Sequence, residues 1–248
     1  YDLDQDQNLL QGYPAYLSVG HDEYWSVGMR NNVESYIENG GNAAFFSGNT
    51  SFWQARFEGE GSQLVAYKTA LTKDPAYDAQ NAPRLSTMWS DPLVDRSESE
   101  MTGVSFTRGG YAHMPNAPKG SGGYTVWQPD HWAFDSLALT DGDDLGADGI
   151  VVASECDGCE LEYVDGKPFA RLSSAAQPTI PAGFEVLGTA PARLWETHEA
   201  SGELHESYIG ELNWVAERLG GEDTEANRRQ FEAGHAVLGT FRRGRGQV

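Results

Sequence analysis

Residues 15–50, AYLSVGHDEYWSVGMRNNVESYIENGGNAAFFSGNT, contain the clearest structural pattern of the chain. Ala15 to Gly20 is a short apolar run that ends in glycine, which is typical of a buried strand. Ser26 is a suitable helix N-cap, and apolar residues then recur at helical spacing as far as Gly40. A second apolar run covers Ala43 to Gly48. Strand, helix and strand within about 35 residues predict a βαβ unit with parallel strands.

Polar residues follow both predicted strands. His21 and Glu23 come directly after the first strand, and Asn49 comes directly after the second. In open parallel sheets, ligands bind beyond the carboxyl ends of the strands. We therefore expect these three side chains to lie at the same edge of the sheet.

The residue types at this edge suit hydrolysis. A carboxylate such as Glu23 can bind a hard metal ion or act as a general base, and an imidazole such as His21 can donate or accept a proton. The amide of Asn49 can hold a carbonyl oxygen or an attacking water. In the simpler alternative, Asp22 or Glu23 caps the start of the helix and His21 bonds a turn carbonyl.

The rest of the chain is less regular. From about residue 51 to 148 it is rich in glycine, proline, aspartate and aromatic residues, which predicts a long insertion of loops and short β-strands. Residues 223–233 then predict a helix, and residues 236–241 predict a strand. We expect a single α/β domain over residues 1–248 that carries this β-rich insertion.

Composition limits the kinds of partner. The chain has 17 basic and 37 acidic residues and a net charge of −20. Such a surface repels phosphate backbones, so we expect no nucleic-acid partner. No run of about 18 apolar residues is present, so we expect no membrane-spanning helix and no membrane partner.

Both cysteines, Cys156 and Cys159, fall in one CxxC motif. A structural zinc site needs a second pair of ligands, and the sequence has no second CxxC. Asp157-Gly158 between them favours a tight turn, so we predict two ordinary turn cysteines, bonded or free, and no thiol nucleophile. The cellular compartment is left open.

Two further sets of polar residues are weaker candidates. His131 either reaches the site from the insertion or is a hydrogen-bonded loop histidine. Asp2, Asp4 and Asp6 resemble the start of a calcium loop, but Gln7 stands where that loop needs glycine. We expect neither set to form the centre of the site.

Several blocks of the sequence resemble one known family. The blocks are VGHDEYWS at 19–26, GGNAAFFSGNTSFW at 40–53, PDHWAFDSLALTDGDDLG at 129–146 and GIVVASECDG at 149–158. Together they are similar to the C-terminal portion of the N,N-dimethylformamidase large (beta) subunit and its relatives. The resemblance implies a fold like that of class I glutamine amidotransferases, a three-layer α/β/α sandwich with a mostly parallel sheet.

The resemblance also implies iron-assisted hydrolysis of a small N-substituted amide or formamide. In that family two tyrosines and a glutamate bind a mononuclear iron, and Glu23 matches the glutamate. His21 and Asn49 match polar residues around the metal, and Glu155 matches a further acidic residue. The two tyrosines would precede Tyr1, so we expect this chain to lack them and to be truncated at both ends. A small partner subunit is implied, and a homo-oligomer is left open.

Two alternatives to a metal-assisted amide hydrolase stay open. The seven tryptophans and the aromatic-rich insertion suit a non-catalytic module that binds a ligand or a carbohydrate. Glu23 and Glu155 would instead suit a carbohydrate- or peptide-active hydrolase without metal that uses them as paired carboxylates. Glycoside hydrolysis needs their carboxyl groups about 5–10 Å apart. Tyr24 stands beside the motif, and position alone does not make it a ligand.

Overall fold

The computed structural model of the chain describes residues 1–77, 82–114, 117–171, 179–194 and 211–248. Within these ranges the α-helices are α1 (Asp2–Gln5), α2 (Val27–Glu38), α3 (Ser99–Thr102), α4 (Glu211–Gly220) and α5 (Glu225–Glu232). The strands are β1 (Ala15–His21), β2 (Tyr24–Ser26), β3 (Asn42–Gly48), β4 (Trp53–Glu58), β5 (Gln63–Val65), β6 (Ser105–Ala112), β7 (Tyr124–Val126), β8 (Asp144–Leu145), β9 (Ser154–Gly158), β10 (Leu161–Val164), β11 (Lys167–Ala170), β12 (Glu185–Arg193), β13 (Ala233–Thr240), β14 (Arg242–Arg243) and β15 (Gly246–Gln247). None of these helices is long and apolar enough to cross a membrane.

The predicted βαβ unit is confirmed. Strands β1 and β3 pair in parallel, from Ala15 opposite Asn42 to His21 opposite Gly48, and α2 connects them through the crossover. The parallel register brings the carboxyl ends of both strands to one edge. The residues that follow the two strands therefore lie close together at this edge of the sheet.

Helix α2 begins and is buried as its sequence predicts. The Ser26 hydroxyl accepts a hydrogen bond from the Met29 backbone N–H at 3.1 Å, which is the predicted N-cap. Val33 and Ile37 are buried in a cluster that includes Trp25. Burial of each such aliphatic side chain contributes about 1.5–3 kcal/mol, so packing stabilises this helix more than intrinsic propensity does.

The predicted three-layer α/β/α sandwich with a mostly parallel, glutamine amidotransferase-like sheet is wrong. In the described ranges only β1–β3 and β2–β4 pair in parallel, and all other strand pairs are antiparallel. The largest sheet has six strands, β8-β7-β12-β6-β9 with β13 beside β12. The reason is the sequence pattern: a parallel sheet needs a helical crossover for each added strand, and α2 is the crossover that pattern provides.

Strands from the middle of the chain join strands from its later part. β6 and β7 both pair with β12, and β6 also pairs with β9. All eight residues of β6 are buried. The large sheet therefore has its core along β6, and the division of the chain at about residues 51–148 stays a prediction.

Near the C-terminus the sequence-based prediction is confirmed. Helix α5 covers most of the predicted helix at 223–233. Strand β13 covers most of the predicted strand at 236–241 and pairs with β12 along its length. Here helical spacing and an uninterrupted apolar run were sufficient signals.

A close backbone approach joins the parallel pair to the large sheet. Gly48 ends β3 against the backbone of Glu155 in β9, and a Cβ atom at Gly48 would collide with the Glu155 carbonyl oxygen. Glycine is required here because it has no side chain. The contact brings the end of β3 to the beginning of β9.

The cysteines lie within β9 and directly after it, and not in a turn. Cys156 belongs to β9, Cys159 follows its last residue, and both thiols are buried and free. The predicted tight turn at Asp157-Gly158 is wrong because the Asp157 carboxylate accepts hydrogen bonds from backbone N–H groups beyond β3. A long-range interaction thus overrides the local preference for a turn.

Candidate functional site

Four side chains close a ring where β1, β3 and β9 meet. The His21 imidazole spans two carboxylates: Nε2 lies 3.4 Å from Glu23 Oε2, and Nδ1 lies 3.1 Å from Glu155 Oε2. The Asn49 amide bridges the same two groups, and its Nδ2 donates to Glu23 Oε1 at 3.3 Å and to Glu155 Oε2 at 3.1 Å. We call His21, Glu23, Asn49 and Glu155 the polar ring. It contains every site residue predicted from the sequence.

The fold places each member of the polar ring. His21 is the last residue of β1, Asn49 follows the last residue of β3, and the parallel pairing aligns the two ends. Glu155 is the second residue of β9, which Gly48 allows to approach. Three separate strands therefore supply the ring, so its geometry depends on tertiary packing.

Asn49 is held in an unusual backbone conformation. Its φ is +53°, in the left-handed region that asparagine tolerates better than most residues. The Asp157 carboxylate accepts the Asn49 N–H through Oδ1 and the Thr50 N–H through Oδ2, each at 2.9 Å. These bonds fix the loop after β3, and they direct the Asn49 side chain towards Glu23 and Glu155.

Glu23 is surrounded by donors, and its side chain is 11% exposed. Trp53 Nε1 donates to Glu23 Oε1 at 2.6 Å, and the Tyr24 hydroxyl also bonds this carboxyl. The alternative in which Glu23 caps α2 is wrong, because the N-cap of that helix is Ser26. Glu23 is therefore held inside the site as a fixed, hydrogen-bonded carboxylate.

Glu155 has a different environment. Burial raises the pKa of its carboxyl above the ordinary value, against the opposing effects of the His21 ring and the Asn49 hydrogen bond. A carboxyl whose pKa is moved towards neutral pH is suited to accept and return a proton. Its partner His21 has a side chain that is 53% exposed, so solvent reaches the polar ring at the imidazole.

Lys68 is a site residue that sequence reasoning missed. Its Nζ lies 3.7 Å from Glu23 Oε1, 4.7 Å from the ring centroid of Tyr24 and 5.4 Å from that of Trp53. Burial acts to lower the pKa of the Lys68 ammonium, but the Tyr24 hydrogen bond and the Glu23 charge raise it overall. The amine thus stays protonated beside Glu23.

Glu211, the first residue of α4, was also missed. Its carboxyl is bonded by its own backbone N–H and by the Tyr111 hydroxyl, and the charges of Glu155 and Lys68 act on it. Burial raises the pKa of this carboxyl. Tyr24 and Trp53 lie within the sequence blocks that resemble the family, so the sequence could have indicated them. Lys68 and Glu211 lie outside these blocks, and no sequence pattern indicates them.

His131 conforms to its simpler interpretation. Its Nδ1 accepts a hydrogen bond from the Ala133 backbone N–H at 3.2 Å and so caps a short 3₁₀ turn. The ring also contacts Trp132, with centroids 5.2 Å apart. This arrangement is that of a hydrogen-bonded loop histidine.

The described histidine, cysteine, aspartate and glutamate residues do not form a metal centre by themselves. In these parts of the chain no three histidine, cysteine, aspartate or glutamate side chains converge on a common point suited to an ion. The two nitrogens of His21 face different carboxylates, Nε2 towards Glu23 and Nδ1 towards Glu155. Glu23 Oε1 is already bonded by Trp53 and Asn49.

Comparison with known proteins supports the resemblance noted from the sequence. A search of curated proteins gives no significant match. A family profile, however, matches residues 1–236, nearly the whole chain, and its description is N,N-dimethylformamidase beta subunit-like, C-terminal. The chain belongs to the N,N-dimethylformamidase beta subunit-like, C-terminal domain family.

Proposed function

We propose that the polar ring is the reaction centre of an amide hydrolase-like domain that acts on a small N-substituted amide or formamide. One observation carries the proposal: the His21 imidazole and the Asn49 amide each join the same two carboxylates, Glu23 and Glu155. An imidazole between two carboxylates is suited to proton transfer. The family name supports the class of substrate.

In the proposed reaction His21 and Glu155 act as a proton-transfer pair. The pair takes a proton from water as the water oxygen attacks the carbonyl carbon of the amide. The carbon–nitrogen bond then breaks, and the same proton passes to the leaving nitrogen. The products are a carboxylic acid and an amine, and the pair returns to its starting state.

Glu23 and Asn49 have positioning roles in this scheme. Glu23 accepts hydrogen bonds from Trp53 and Asn49 and faces His21 Nε2, so it orients the ring while Nδ1 faces Glu155. The side-chain NH₂ group of Asn49 donates its hydrogen bonds to the two carboxylates. It therefore holds the carboxylates in place, a different role from binding the substrate oxygen as its sequence position predicted.

Iron, with Glu23 as a ligand, stays a prediction. Glu23 can offer a carboxylate oxygen to a metal, but among the described residues no three histidine, cysteine, aspartate or glutamate side chains are placed to hold an ion. Iron bound there would polarise the amide carbonyl or activate water. Metal analysis of the full-length protein and of its Glu23→Ala variant tests this: equal iron content in both would contradict a ligand role for Glu23.

A partner subunit is also part of the proposal. The family is named for a beta subunit, and such a name implies an enzyme with at least one further kind of subunit. Isolation of the native protein with its bound partners, followed by mass measurement of the intact complex, would identify a second chain. A single species with one kind of chain would contradict this part of the proposal.

The two alternative functions receive less support. Among the tryptophans of the described ranges Trp132 is the exposed one, at 58%, whereas Trp25, Trp53 and Trp89 are buried, so a broad stacking surface for sugars has little basis. A glycosidase needs a sugar between its two carboxyl groups. Here both Glu23 and Glu155 bond a single amide nitrogen instead.

The test of the proposal is amide hydrolysis by the full-length protein. Formate release from formamide, N-methylformamide and N,N-dimethylformamide would be measured for the wild type and for His21→Ala and Glu155→Gln. Loss of a proton-transfer group lowers kcat by about 100-fold or more. Glu162→Gln, on the exposed face of β10, is a matched control that should leave the rate unchanged. Undiminished hydrolysis by His21→Ala would overturn the proposed role of the polar ring.

A further inference from the structure

The first turn of α4 lies against the site along two separate lines of contact. In one line Trp214 packs against Trp53 with ring centroids 5.2 Å apart and ring planes inclined by 42°, and Trp53 Nε1 donates to Glu23 at 2.6 Å. In the other, Tyr111 donates to Glu211 and lies directly opposite Glu155 across β6 and β9. The helix is thereby tied to both carboxylates of the polar ring.

Trp214 and Glu211 are three residues apart, so they project from the same side of α4. Residues directly opposite each other on neighbouring antiparallel strands have Cβ atoms about 4.5–5.5 Å apart. Tyr111 therefore places the Glu211 carboxyl within a few side-chain lengths of Glu155. This first turn, Glu211 to Trp214, forms a wall beside the polar ring.

Glu211 has an unsatisfied acceptor in this wall. Its Oε2 atom is buried and has no hydrogen-bond partner among the described residues. A buried carboxylate oxygen without a donor is destabilising, so such an atom marks a place where a partner can bind. A carboxylate is an acceptor, so the missing partner is a donor.

The charges around the wall favour a nitrogen donor. The charge of one lysine, Lys68, acts on three carboxylates, Glu23, Glu155 and Glu211. The tilted indole rings of Trp53 and Trp214 pack beside them. Carboxylates and aromatic faces together attract ammonium groups. An N–H of an amide, or the ammonium formed after its cleavage, meets both requirements.

From these contacts we infer that Glu211 binds the nitrogen side of the substrate and selects amides that carry an N–H. The inference rests on the proposed amide hydrolysis and narrows its substrate class. N-methylformamide can donate to Glu211, whereas N,N-dimethylformamide has no N–H to donate. After cleavage, the carboxylic acid product gives its proton to the amine, and the Glu211 carboxylate holds the resulting methylammonium.

Selectivity between these two substrates tests the inference. Glu211→Met, which keeps the length of the side chain but removes its charge and acceptors, should lower the kcat/KM ratio of N-methylformamide over N,N-dimethylformamide by about tenfold or more. The change should appear mainly in KM, because Glu211 does not belong to the proton-transfer pair. Glu217→Met, at an exposed position of the same helix, should leave the ratio unchanged. An unchanged ratio in Glu211→Met would overturn the inference.

Direct binding separates this inference from the proposed reaction. Calorimetric titration with methylammonium, and with tetramethylammonium as a cation that lacks N–H groups, needs no turnover. The wild type should bind methylammonium more tightly, and Glu211→Met should lose that preference while Glu217→Met keeps it. If amides are not hydrolysed but this preference depends on Glu211, the Glu211 binding site is supported and the proposed amide hydrolysis is contradicted. Absence of methylammonium binding by the wild type would refute the subsite, and Glu211→Gln provides a second variant if Glu211→Met does not fold.

Discussion

Asp157 holds Asn49 by its backbone: the Asp157 carboxylate accepts the Asn49 N–H at 2.9 Å, and Asn49 has a left-handed φ of +53°. The second oxygen of the carboxylate accepts the Thr50 N–H at the same distance. Both oxygens of the buried Asp157 carboxylate thus accept hydrogen bonds from the loop after β3 and not from a ligand. We regard Asp157 as a positioning residue that acts on the polar ring through Asn49.

Replacement of Asp157 should disturb both stability and activity. Asp157→Asn keeps the shape of the side chain, but its single amide oxygen can accept from only one of the two backbone N–H groups of Asn49 and Thr50. The NH₂ group of the new side chain would face the second backbone N–H, and two donors cannot form a hydrogen bond. Leaving a buried N–H unpaired costs about 1–3 kcal/mol, so the free energy of unfolding should fall by that amount. Urea denaturation of the variant checks this. Thr240→Val, a buried polar substitution outside the polar ring, is the control for a general loss of stability; equal hydrolysis by Asp157→Asn and wild type would contradict the positioning role.

The pH dependence of hydrolysis should report Glu155. Burial raises the pKa of this carboxyl above its ordinary value of 4.5. If the ionised pair accepts a proton from water, kcat/KM rises with pH through that raised pKa and levels off above it. Glu155→Gln should remove this acidic limb as well as lower the rate. A rate profile with the same limb in Glu155→Gln would assign the ionisation to another group.

The sequence was sufficient where the signal is local. The N-cap at Ser26, the apolar spacing of α2 and the two short apolar strands predicted a parallel pair, and the structure contains it. Parallel pairing in turn predicts that His21, Glu23 and Asn49 lie together, as they do in the structure. This part of the site follows from periodicity and from the geometry of parallel strands.

The remainder required long-range packing that no local pattern encodes. The antiparallel sheet around β6 is held by pairings between strands far apart in sequence, and short strands of mixed composition give little periodic signal. Lys68 reaches Glu23 from a left-handed backbone position at φ +55°, which a lysine rarely adopts. The mostly parallel sheet implied by the family resemblance is wrong, because each further parallel strand needs a crossover that the sequence lacks.

Lys68 should matter to hydrolysis through Glu23. Its ammonium lies 3.7 Å from Glu23 Oε1 and stacks over Tyr24, so Lys68→Met leaves Glu23 without its neighbouring cation. We expect a decrease in kcat/KM of about tenfold to 100-fold, with partial recovery in Lys68→Arg, which keeps the charge. Lys73→Met, at an exposed lysine nearby in sequence, is the matched control. Full activity of Lys68→Met would remove Lys68 from the site.

Stability should fall as the pH rises from about 4.5 to 7, because of Glu98. This carboxyl is fully buried, it accepts a hydrogen bond from the Ser105 hydroxyl, and burial raises its pKa from 4.5 to about 7. Between these two pH values the folded state keeps a proton that the unfolded state has lost, so the free energy of unfolding decreases with increasing pH. The change due to this group is on the order of 2–3 kcal/mol.

Glu98→Gln isolates this contribution from the repulsion among the other acidic groups of a chain with a net charge of −20. Glutamine keeps an acceptor for Ser105 and does not titrate, so the variant should lose this part of the pH dependence and be at least as stable as the wild type at pH 8. The measurement is urea denaturation of both proteins at pH 5 and pH 8, with Glu162→Gln as an exposed control. Parallel stability profiles for Glu98→Gln and wild type would show that the Glu98 carboxyl does not change its protonation in this range.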